Sequence, residues 1–139
     1  KMDGALPEPP KAIGNYVTYK KVGNLIFTSG HVPISGEKEY IGKVPTDISI
    51  EDAYLASALC AELTISTLQD NTDIKKIQPL NVVGFVNADE TFEDHAKVLN
   101  GFTDTLTKYF TEKATRSAVG VKSLPLNVCV EVQCIFSYE

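Results

Sequence analysis

The chain has 139 residues, enough for one domain with one hydrophobic core but not for two. At 43% hydrophobic and 22% charged it has the makeup of a folded globule, and at this length it needs no disulfides to bury a core. Eighteen acidic against 13 basic side chains give a net charge of −5, which argues against a broad nucleic-acid footprint but leaves room for a small basic pocket.

No apolar run approaches the roughly 20 residues of a membrane-spanning helix, so no membrane partner is expected. Cys60, Cys129 and Cys134 are odd in number, and no CxxC or HExxH spacing occurs. They read as reduced thiols of a cytoplasmic protein, and with only His31 and His95 far apart in the chain, a metal site is not expected.

Residues 1–11 are Pro-rich and read as an extended leader, with a single domain over residues 12–139. Tyr16–Val22 and Leu25–Thr28 flank Gly23-Asn24, the pattern of a β-hairpin. Gly30–Thr46 is broken by glycines and prolines and reads as a long irregular stretch of the kind that often carries function. Ser49-Ile-Glu-Asp52 resembles a capping box, and Leu55, Leu59 and Leu63 recur every four residues behind it, which predicts a helix ending at Asp70-Asn71.

Pro79–Val86 is short and β-branched, a buried strand. Thr91-Phe-Glu-Asp94 repeats the capping pattern and predicts a second helix whose stripe is Phe92, His95, Leu99, Phe102, Leu106 and Phe110. Arg116–Val121 and Val128–Tyr138 complete the strands. In the last, Val128, Val130, Val132, Cys134, Phe136 and Tyr138 share one face and Cys129, Glu131, Gln133, Ile135 and Ser137 the other. The order β-β-α-β-α-β-β predicts an α+β fold of two layers, with two helices on one face of a mixed sheet. The other face is partly apolar, which predicts a cyclic homo-oligomer.

Two residues stand out chemically. Arg116 begins a strand, where its guanidinium can fork onto a carboxylate with two parallel hydrogen bonds; a surface ion pair with a neighbouring acid is the plainer alternative. Glu131 lies in Val-Cys-Val-Glu-Val, where apolar neighbours resist its ionisation. That suits a proton-transfer group, and an inter-subunit ion pair is equally compatible. Ser29 with His31 hints at a nucleophile and base, but no third member is placed beside them. His95, on the helical stripe, reads as a packed core histidine.

The segment from Ala114 to Val132, with Arg116-Ser117, Leu124-Pro125 and Val130-Glu131-Val132, resembles the C-terminal signature of the YjgF/YER057c/RidA family. Ala12–Val17, Asn24–Pro33, and Gly84–Phe92 followed by Asn100 resemble three further family segments in the same order, so the likeness spans residues 12–136. It implies a chorismate-mutase-like fold and a homotrimer with sites in the clefts between subunits. It also implies hydrolysis of reactive 2-imino or 2-enamino acids to 2-keto acids and ammonia, without a cofactor. In that reading Arg116 holds the carboxylate of the small-molecule substrate, Glu131 handles the water or its proton, and Tyr16, Ser29 and Asn100 line the pocket. Ala118 stands where many members carry Cys, and His31 where they carry Gln. Two alternatives accompany the reading: a regulatory trimer that binds small carboxylates without turnover, and an endoribonuclease on single-stranded RNA using His31 or His95.

Overall fold

The computed structural model describes residues 6–139. β1 (Tyr19–Val22) and β2 (Leu25–Thr28) form the expected hairpin, with Gly23 at φ 60° making its left-handed turn. The stretch expected to be irregular contains a second small hairpin, β3 (Ile34–Ser35) and β4 (Lys38–Glu39). There follow α1 (Ile50–Asn71), β5 (Ile77–Asn87), α2 (His95–Leu106), β6 (Thr115–Val121) and β7 (Val130–Tyr138). The five longer strands make one mixed sheet in the order β1-β2-β7-β5-β6. β5 and β6 run parallel with α2 as their crossover, and the other neighbours are antiparallel.

α1 starts where its cap predicts: the Ser49 hydroxyl accepts from the Asp52 N–H at 3.0 Å. Its buried side differs from the leucine stripe. Leu55 is 51% exposed, while Ala53, Ala56, Cys60 and Leu63 face the sheet, and from Leu59 to Leu68 the helix is buried almost all round. Part of that cover is the leader. Residues 1–5 lie outside the described residues, but Leu6 packs on the core and the Ser66 hydroxyl donates to the Pro7 carbonyl at 2.6 Å.

α2 begins four residues later than expected. The Asp89 carboxylate accepts from both the N–H and the hydroxyl of Thr91, at 3.1 and 3.2 Å, so Thr91 belongs to a turn and Asp94 is the first half-helical residue. Leu99, Phe102 and Leu106 are buried as the stripe predicts, and Phe110 is buried just beyond the helix end. His95 is not a core residue. It opens α2, half-exposed, with its ring 5.1 Å from that of Phe92 and lying over Gly120.

β7 also starts later, at Val130, because the chain bends at Cys129. The bend corrects the expectation for the thiols: Cys129 does not share the face of Glu131 but is buried in the core cluster with Cys60 and Cys134. Two glycines set the depth of the helical layer. A side chain at Gly84 would strike the methyls of Leu99, and one at Gly101 the backbone carbonyl of Tyr54. At that second contact α1 and α2 touch through main chain, and the Ser57 hydroxyl donates to Val98 O across it at 2.5 Å. The other face of the sheet carries Phe27, Val83, Phe85, Val119 and Ile135 with no covering layer among the described residues; Phe27 and Val119 are 41% and 42% exposed.

A methyl at Gly101 meets an immobile carbonyl, so Gly101→Ala is expected to destabilise the fold by about 1–3 kcal/mol. Chemical denaturation of the variant beside the parent measures it, and an unchanged midpoint would contradict the close helix contact.

Candidate functional site

The sheet's register decides which expected site residues meet. Arg116 lies opposite Val82 in the β5–β6 ladder, and Val82 is opposite Cys134 in β7, so all three point to the helical side. Glu131 lies opposite Phe85, on the open face. Within one protomer Arg116 and Glu131 are therefore on opposite faces of the sheet, and the five expected residues divide into two groups.

The first group is Arg116 with Asn100. Because β6 lies beneath α2, the guanidinium reaches that helix: Nη1 donates to Asn100 Oδ1 at 2.9 Å and to Thr103 Oγ1 at 3.2 Å. Thr103 was not anticipated from the sequence; its signal is its place one turn after Asn100 on the same helical face. Among the described residues no carboxylate lies within ion-pair distance of Arg116, so the surface ion pair weighed above is not formed in the protomer. Nη1 donates to two neutral acceptors, and among the described residues the Nη2–Nε edge has no partner, so it can fork onto an anion. The residue sits in a cavity of about 300 Å³ that Asn100, Thr103, Thr107 and Lys113 also line.

The second group is Tyr16, Ser29 and Glu131. An isolated bridge between His31 and Val132, with N–H···O distances of 2.8 and 3.1 Å, holds the chain after β2 against β7. It brings Gly30 so close to Glu131 that any side chain at Gly30 would collide with the carboxylate. Burial pushes the Glu131 pKa above its ordinary value, as its apolar neighbours predict, and no other influence offsets it. The Ser29 hydroxyl donates to Val17 O at 2.5 Å. Tyr16, 47% exposed, and Ser29 line a cavity of about 180 Å³ that Gly30 shares.

His31 is no partner for the serine hydroxyl. It is buried, with Nδ1 3.0 Å from the Ser29 carbonyl and Nε2 2.9 Å from the Thr67 hydroxyl, and burial lowers its pKa. Nε2 ties the loop after β2 to α1 and Nδ1 braces the loop on itself, a structural duty. Among the described residues no three His, Cys, Asp or Glu side chains gather where a metal could be held, and no helix is long and apolar enough to cross a membrane.

The family described as "YjgF/chorismate_mutase-like, putative endoribonuclease" matches residues 2–137. The chain is 31% identical over 140 residues to the 2-iminobutanoate/2-iminopropanoate deaminase of Escherichia coli K12, covering 94% of this chain and 93% of that protein. It is 30% identical over 138 residues to Protein TCP17 of Trypanosoma cruzi, covering 94% and 85% of the two. A crystal structure of a "putative endoribonuclease" from Shewanella oneidensis matches with a TM-score of 0.89 at 30% identity, over 97% of this chain and 92% of that one. With the fold, the signature around Arg116 and Glu131 and these likenesses together, the chain belongs to the YjgF/YER057c/RidA family and has its chorismate-mutase-like fold.

Proposed function

We propose that the protein hydrolyses reactive 2-imino acids, and their enamine tautomers, to 2-keto acids and ammonia in clefts between the protomers of a homotrimer. The observation that carries this reading is the Arg116 guanidinium, held from behind by Asn100 and Thr103 and uncommitted on its forked edge. Such an edge matches a substrate carboxylate. The partition of the site supports the second half of the proposal. Tyr16, Ser29 and Glu131 lie apart from Asn100 and Arg116 in one protomer, and the open apolar sheet face around Glu131 is a surface on which a second copy can supply the missing half. The Escherichia coli relative bears the name of this activity.

The chemistry asks little of the protein. The carboxylate of R–C(=NH)–COO⁻ docks on Arg116, which orients the imine carbon. Glu131 in its ionised form takes a proton from water as the water oxygen bonds to that carbon. Glu131 passes that proton to the imine nitrogen, giving the amino alcohol R–C(OH)(NH₂)–COO⁻; it then takes the hydroxyl proton as the C=O bond forms and delivers it to the nitrogen as the C–N bond breaks, leaving R–C(=O)–COO⁻ and NH₃. Positioning and one proton carrier suffice because imines already hydrolyse in water. An endoribonuclease reading finds less support: His31 is buried with both nitrogens bonded, and the chain is acidic overall.

The test is to generate the imine with an amino-acid oxidase and compete for it with semicarbazide. Purified protein is expected to divert the imine to keto acid, and failure to do so overturns the deaminase reading. A calorimetric titration with a keto acid then separates a non-catalytic carboxylate binder from no binding at all.

Arg116→Ala removes a charge-assisted bond worth about 1.5–3 kcal/mol, so kcat/KM is expected to fall about 10- to 150-fold. Arg116→Lys, a point charge without the fork, is expected to recover little of it in the same assay.

Thr103→Val frees one Nη1 hydrogen and loosens the guanidinium. Its KM is expected to rise several-fold with kcat nearly constant, and Thr103→Ser to restore it; equal losses in kcat and KM would mean that Thr103 is merely structural.

Glu131 must be ionised to accept the proton, and its pKa is raised. Activity is therefore full above that raised pKa and declines as pH falls through it, at higher pH than an ordinary carboxylate would dictate. A kcat/KM profile is expected to show this acid limb. Glu131→Gln should abolish most turnover and leave the residual rate without the limb.

A further inference from the structure

One feature of the cavity beside Ser29 and Gly30 is not explained by folding. Leu126 occupies the left-handed region, at φ 59° and ψ 15°, in the turn between β6 and β7. A branched side chain rarely adopts that conformation, whereas glycine or asparagine adopts it readily. The neighbouring Asn127, at φ 56°, is of the tolerant kind; Leu126 is not. Packing within the protomer gives little in return, because the side chain is 62% exposed. The turn is nonetheless pinned: Val128 N–H donates to Pro125 O at 3.2 Å, and Gly42 N–H to Asn127 O at 2.8 Å. A strained, exposed leucine on a fixed turn points to a role outside folding.

Leu126 lines the cavity of about 180 Å³ together with Ile13, Tyr16 and Ile34, and Ile13 is 82% exposed. These side chains form an apolar collar continuous with Ser29 and Gly30, and Gly30 abuts the carboxylate of Glu131. Lys11 is the charged side chain in the lining. A volume of about 180 Å³ suits an apolar side chain, not a peptide segment or a helix.

We infer that Ile13, Ile34 and Leu126 form a side-chain recognition pocket, which makes the substrates 2-imino acids with branched or long apolar side chains in preference to the smallest ones. This rests on the deaminase reading and refines it. The carboxylate end is fixed by Arg116 and the reacting carbon by the neighbourhood of Glu131, and the remaining substituent lies in the collar. A hydrophobic pocket discriminates by about tenfold or more for each methylene it encloses.

The experiment compares imines generated from leucine and from alanine in the same semicarbazide competition. The wild-type protein is expected to favour the leucine-derived imine in kcat/KM by at least about tenfold. Leu126→Gly, whose backbone takes this conformation freely, and Leu126→Asn, which keeps it but replaces the apolar side chain with a polar one, are both expected to bring the ratio close to one. Thermal unfolding and sedimentation accompany each variant; melting temperatures no lower than wild type and an unchanged oligomer are expected. A wild-type ratio near one overturns the recognition pocket, as does a ratio that survives both substitutions. Dissociation of the oligomer in either variant also overturns it, because the collar is then a contact between copies. If neither imine is turned over by the wild-type protein, the deaminase reading itself fails and takes this inference with it, an outcome distinct from loss of selectivity alone.

Discussion

The pleat of a β-strand sends successive side chains to opposite faces, and the consequences of that constraint run through this molecule. Parallel pairing of β5 with β6 sets Arg116 beside Val82, under the helices. Antiparallel pairing of β5 with β7 sets Glu131 beside Phe85, on the face the helices do not cover. No rotamer can bring the two together through a close-packed sheet. A protomer therefore holds the expected site residues in two groups on opposite faces of the sheet, and any chemistry that needs both requires a second copy. Under the proposed deaminase function, association and activity are one requirement, and the apolar open face around Phe85, Val119 and Ile135 is the surface proposed to serve both.

Each half-site is prepared differently for its task. Arg116 is held by neutral oxygens on α2, which orient the guanidinium without neutralising it. A carboxylate in the place of Thr103 would satisfy the arginine and remove its reason to bind an anion. Glu131 is prepared by burial: apolar strand neighbours and the bare backbone of Gly30 desolvate it and raise its pKa.

The elements that the sequence revealed are those whose signals are local. Ser49 capping α1, the alternation of β7, the Gly23 hairpin and the buried run in β5 each depend on residues a few positions apart, and each is found. The errors fall where a competitor lies just outside the pattern being read. Asp89 captures Thr91 and delays α2, which takes His95 out of the core; the bend at Cys129 turns its thiol inward. Leu55 matched a helical repeat, but small residues at positions 53 and 56 let the opposite side of α1 approach the sheet. Among the site residues, Arg116 and Glu131 are conspicuous in sequence as ions in apolar strands. Thr103 is not, because its contact with Arg116 exists only once α2 crosses over β6. The separation of the two groups by the sheet needed the register, which no single strand encodes.

The collar around Leu126 depends on a further set of long-range ties. The loop carrying β3 and β4 is joined to the far end of the sheet at several points. Cys129 N–H donates to Tyr40 O at 3.0 Å, Ile41 bridges Val128, and Gly42 N–H donates to Asn127 O. Asn87, fully buried at the end of β5, adds an amide bond to Val128 O at 3.1 Å and accepts from the Lys43 ammonium at 2.9 Å. Ile34 and Leu126 come from segments more than ninety residues apart, yet the loop that carries Ile34 is bonded through Tyr40, Ile41 and Gly42 to the turn that carries Leu126. A loop held only by its ends could yield to any side chain presented to it. Bonds of this kind, made to the ends of β5 and β7, give the loop the stiffness of the sheet, and a stiff apolar wall is what converts a difference of one methylene into a difference in binding. The length of the segment between β2 and α1 is therefore compatible with precision, since its irregular backbone is anchored to the strand ends at both sides of the cavity.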